Sequence, residues 1–124
     1  SPDDQSGYDV DLSHNGQIVA VGAILNDDGA NNGGQVRVFQ YIGNSWEKLG
    51  DDIDGENNNR QYGRSVTLSA DGSVVATSGV RFTSVHKYNG TAWNIVGEEI
   101  LREIGGDSRS MVSLSSDGSI LALG

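Results

Sequence analysis

Oxygen-bearing side chains crowd two stretches of this sequence. Asn26-Asp27-Asp28-Gly29-Ala30-Asn31-Asn32-Gly33-Gly34 holds two carboxylates and three side-chain amides. Ca²⁺ takes about six to eight oxygen ligands, so this loop could supply part of a shell. Asn26, Asp27 and Asp28 are its candidate ligands. Asp51-Asp52-Ile53-Asp54-Gly55-Glu56 is the second candidate, through Asp54. Neither stretch has EF-hand spacing, and Asn, Asp and Gly are also the ordinary residues of turns. The expectation is plain loops and no resident cofactor, with calcium as the alternative.

Catalytic patterns are sparse. The chain has no Cys, which removes thiol chemistry and disulfide frameworks. It has no G-x-S-x-G elbow, phosphate-binding glycine loop or H-E-x-x-H pair. The two histidines, His14 and His86, fall in a turn and a strand. His86 stands where the matching segment has Phe39, which points to a packing or surface role. Acidic pairs are too many to single out a glycosidase dyad. Asn89-Gly90-Thr91 is an N-x-[ST] sequon, so Asn89 is a possible glycosylation site if the chain enters a secretory compartment.

Charge narrows the partners. Seventeen Asp and Glu against eight Lys and Arg give a net charge of -9. The basic residues are scattered singly, so no cationic face exists to hold nucleic acid or an anionic membrane. No apolar run is long enough to span a bilayer as a helix. Hydrophobic residues make up only 35 %, while glycine accounts for 18 of 124 residues. Turns must therefore be frequent.

The sequence repeats itself. Val10-Asp11-Leu12-Ser13-His14-Asn15-Gly16 recurs as Val66-Thr67-Leu68-Ser69-Ala70-Asp71-Gly72 and as Val112-Ser113-Leu114-Ser115-Ser116-Asp117-Gly118. The shared pattern continues as V-x-L-S-x-[DN]-G-x-[IV]-[VL]-A. A second pattern, V-x-x-Y-x-G-x-x-W-x-x-[LV]-G-[DE]-[DE]-I, covers Val38–Ile53 and Val85–Ile100. The spacings are 56, 46 and 47 residues. Self-similarity at such a period is the mark of stacked repeat units.

Each unit reads as four strands. Tyr8, Val10 and Leu12 alternate with polar residues, the signal of a half-buried strand. Asn15-Gly16, Asp71-Gly72 and Asp117-Gly118 are tight turns. Ile18–Val21, Val74–Ala76 and Ile120–Leu123 are apolar on both faces, so they are expected between two covering layers. Third strands follow at Gln35–Ile42 and Phe82–Tyr88, and fourth strands at Ser45–Gly50 and Ala92–Gly97. Residues 51–55 and 98–104 are left as loop. Trp46 and Trp93 recur at one position and are expected to anchor neighbouring sheets.

Four antiparallel strands repeated about every 50 residues describe a β-propeller blade. The motifs resemble the integrin-α N-terminal, FG-GAP-like propeller repeats. The matching residues run from Gly7, Val10, Leu12, Ser13, Gly16, Ala20 and Gly22 through Gly34, Val36, Val38, Tyr41, Trp46, Leu49, Gly50, Ile53 and Gly55. Integrin-type blades often carry a D-x-D-x-D-G calcium loop in the first hairpin. Here that hairpin is a bare turn, so the family's calcium sites do not carry over. The paired dipeptides of WD repeats are absent, and no double glycine directly follows the second strand as in kelch repeats. The resemblance implies a secreted or cell-surface setting, with an organelle lumen as the alternative.

The expected architecture is thus all-β, with about two and a half blades: residues 1–56, residues 57–104, and the first half of a third in 105–124. The rest of the propeller would come from a longer chain or from other copies. The expected function is non-enzymatic recognition of a protein or glycan. Display loops would carry it, with Asp27, Asp28, Asn31, Asn32, Asn57, Asn58 and Asn59 as contact candidates. A structural subunit of a large assembly and a glycan-processing propeller enzyme are the alternatives.

Overall fold

The computed structural model describes residues 6–24, 34–54, 63–79, 82–97, 100–101 and 111–123. Among these, every regular element is a strand and there is no helix. The strands are β1 (Ser6–Leu12), β2 (Ile18–Ala23), β3 (Gln35–Ile42), β4 (Ser45–Lys48), β5 (Ile53–Asp54), β6 (Ser65–Leu68), β7 (Val74–Ser78), β8 (Phe82–Tyr88), β9 (Trp93–Ile95), β10 (Ile100–Leu101), β11 (Val112–Leu114) and β12 (Leu121–Leu123). All pairings are antiparallel.

Two sheets share one plan. In the first, β1, β2, β3 and β4 lie in chain order, and β5 also pairs with β3. In the second, β6, β7 and β8 lie in order, and both β9 and β10 pair with β8. The third sheet is the β11–β12 hairpin. The outer edge is therefore split. β4 runs along Phe39–Ile42, while β5 pairs with Gln35 and Val36. β9 and β10 divide β8 in the same way. Gly50 and Gly97 stand at the breaks with φ of 74° and 72°, which turns the chain out before pairing resumes. Residues 51–55 and 98–104, read as loop from the sequence, thus contain two-residue strands.

A serine and a side-chain oxygen build each first hairpin. Ser69 Oγ donates to Asp71 Oδ1 at 2.9 Å and accepts the Val74 N–H at 3.1 Å. Asp71 Oδ1 also accepts the Ser73 N–H and hydroxyl, at 2.9 and 2.7 Å. Ser115 and Asp117 repeat the arrangement with Ser119 and Ile120. Ser13 and Asn15 repeat it with Gln17 and Ile18. The S-x-[DN]-G pattern is thus a hydrogen-bonded loop in which the side chains occupy backbone donors the turn would otherwise leave open.

The core lies between the first two sheets. Ala20, Val36, Val38 and Ile53 from one meet Val66, Leu68 and Val75 from the other, with Ile18, Leu49 and Trp93 at the margin. β6 and β7 are buried along their whole length, because the third sheet covers their other side. β1 departs from its alternation pattern. Val10 and Leu12 are each 55 % exposed, whereas Asp9 and Asp11 point at β6. Their carboxylates accept the N–H groups of Val66 (2.9 Å) and Leu68 (2.6 Å). Edge donors of the second sheet are thereby satisfied by the first.

Candidate functional site

The Asp51–Asp54 segment, which leads into and forms β5, faces the second sheet across a cleft. Asp51, Asp52, Ile53, Asp54, His86, Ala92 and Trp93 line it, and its volume is about 370 Å³. The break after Gly50 places the carboxylates here: it lifts Asp51 and Asp52 off the sheet edge before β5 pairs back onto Val36.

The carboxylates differ in what holds them. Asp52 is ion-paired with Lys48 and lies 3.6 Å from Arg37 Nε. Asp54 Oδ1 accepts a 2.6 Å hydrogen bond from the side-chain amide of buried Gln35. Asp51 is exposed. On the opposite wall, the Trp93 indole N–H donates to the Leu49 carbonyl at 2.8 Å. Its ring packs on Tyr88, 5.1 Å between centroids. The cleft is therefore an array of fixed hydrogen-bond acceptors beside an indole. Such a surface can receive hydroxyl or ammonium donors.

Asn26, Asp27, Asp28, Asn31, Asn32, Asn57, Asn58 and Asn59 lie outside the described residues. Asp54 and Trp93 come together in the cleft. Trp46 is exposed and packs on Tyr41 of its own sheet, 5.2 Å between centroids. Asn89 is exposed in the turn before β9, where its Oδ1 accepts the N–H groups of Thr91 and Ala92. His14 is exposed, and its backbone N–H donates to the Ala70 carbonyl. Among the described residues, no group of three or more His, Cys, Asp or Glu side chains converges as a metal site. Nor does any helix among them have the length and apolarity to cross a membrane.

Sequence reasoning missed Asp9 and Asp11, which bind another sheet's backbone. It also missed the hairpin serines. Their signal was present: a serine stands two residues before the Asn or Asp in all three stretches. No protein-family model matches the chain, and no curated protein matches it.

Proposed function

We propose that this chain is a non-enzymatic binding module whose sheets are blades of a β-propeller. Its ligand, a glycan or protein segment rich in hydroxyl or amine donors, sits in the Asp51–Trp93 cleft. The observation that carries the reading is the state of the cleft's carboxylates. Asp52 is held by cations and Asp54 by an amide, so both carboxylates present fixed acceptor oxygens to the cleft. Support for the blade assignment comes from the shared strand plan of the first two sheets and from the motifs that resemble FG-GAP-like repeats.

Calorimetric titration with neutral oligosaccharides and lysine-rich peptides tests this. Binding without turnover is expected, weakened about tenfold or more by Asp51→Asn, which removes a charge but no fold contact. Release of new reducing ends from any oligosaccharide overturns it in favour of a propeller enzyme.

A further inference from the structure

The contacts between successive sheets follow one rule. From the first sheet to the second, the His14 N–H donates to the Ala70 carbonyl, and Ile18 covers Gly72. Asp9 and Asp11 cap the N–H groups of Val66 and Leu68. From the second to the third, the Ala70 N–H donates to the Ser116 carbonyl, and Val74 covers Gly118. Ser65 and Thr67 cap the N–H groups of Val112 and Leu114. Residue for residue, the second joint repeats the first.

Each joint therefore has a forward face and a receiving face, and one of each is left open. Val66 and Leu68, on the receiving face of the second sheet, are 4 % and 7 % exposed. Their counterparts Val10 and Leu12 are the 55 %-exposed residues of β1. Gly16, the counterpart of Gly72 and Gly118, has open space where a Cβ would stand. At the other end, Met111 and Ile120 are 63 % and 68 % exposed. Ile120 holds the position from which Ile18 and Val74 cover the next glycine.

We infer that these two faces dock on each other, so that the Met111–Ile120 face of one copy seats on the Val10–Leu12–Gly16 face of a second copy. Ile120 would cover Gly16, the Ser116 N–H would meet the His14 carbonyl, and Ser113 would cap the Leu12 N–H. The contact is head to tail and continues the joints already built inside the chain. It rests on those joints and not on the cleft, so its failure leaves the binding reading standing. Both copies carry a charge of -9, so salt strengthens the contact by screening their repulsion.

Sedimentation and light scattering of the purified chain over a range of concentrations test the inference. The average mass is expected to rise above 13.1 kDa with concentration, and further with added salt. Leu12→Asp spoils one face and Ile120→Asp the other, and each weakens association by roughly tenfold or more. An equimolar mixture of the two variants forms a dimer that grows no further, because each contributes one intact face. Val10→Lys with Met111→Lys is the replacement pair if an aspartate variant loses its cooperative melting. A parent that stays monomeric overturns the inference. So does association that either substitution leaves intact, or a mixture that stays monomeric.

Discussion

Gly22 and Gly63 bring two backbones into contact between the first and second sheets. A Cβ on Gly22 would stand 2.8 Å from the Gly63 Cα, and one on Gly63 would stand 2.9 Å from the Gln35 carbonyl oxygen. β2 and the segment entering β6 can approach this closely only because neither residue has a side chain. The Gly63 N–H also donates to Thr77 Oγ1 of its own sheet at 3.0 Å within the buried region.

Gly22→Ala is therefore expected to force the first two sheets apart. Overpacking of this kind costs about 1–3 kcal/mol. Urea denaturation reads it as a lower midpoint with an unchanged slope. The rigid backbone opposite cannot rotate away as a flexible side chain would. A midpoint equal to the parent's would contradict the contact.

The hairpin oxygens make stability depend on acid. The Ser119 hydroxyl and N–H, then the Ser115 hydroxyl, hold the Asp117 carboxyl down to about 2. Asp71 is likewise lowered, by the Ser73 hydroxyl and N–H and then by the Ser69 hydroxyl. A folded-state value below the unfolded one means that the ionised form favours folding. That contribution is whole above the unfolded value of about 3.9 and is lost as pH falls through the folded value. For Asp117 the window runs from about 4 down to about 2. Asn15 makes the corresponding bonds without titrating. The double variant Asp71→Asn, Asp117→Asn should therefore lose less stability between those limits than the parent. Melting curves across the window check this, and parallel acid limbs would exclude it. At neutral pH, Ser69→Ala strips the acceptor from the buried Val74 N–H and costs about 1–3 kcal/mol. Ser115→Ala costs less, because Ile120 is exposed.

Those hairpins were half legible in the sequence. Asn-Gly and Asp-Gly announce turns through their backbone preferences, and the apolar runs beside them announce strands. The serine's part needs three dimensions, since it spans five residues to reach the next strand's N–H. β5 and β10 were hidden because two residues carry no periodicity. Asp9 and Asp11 misled for a different reason. In a strand, alternate aspartates read as the solvent face, but here their partners lie 57 residues away on another sheet. Local pattern shows that a strand has two faces; it does not show which neighbour claims each. The cleft was legible only in its ingredients, because the split of the outer edge that gathers Asp51, Asp52 and Asp54 opposite Trp93 leaves no local trace.

Trp93 and Trp46 share one place in the repeat but not one environment. Trp93 bonds to Leu49 and lies against Gly50, where a Cβ would stand 2.9 Å from its ring. Trp46 packs on Tyr41 and is open to water. Trp93→Ala removes an indole and its hydrogen bond from the joint between the first two sheets, at a cost of about 3 kcal/mol, near the low end for buried aromatics. Trp46→Ala takes its ring from the surface and costs under about 1 kcal/mol. Fluorescence separates the two without relying on stability. In Trp46→Phe the remaining indole is sheltered and emits to the blue; in Trp93→Phe it is hydrated and emits to the red. Equal spectra in the two single-tryptophan variants at low concentration would show that the environments are alike, contrary to the structure.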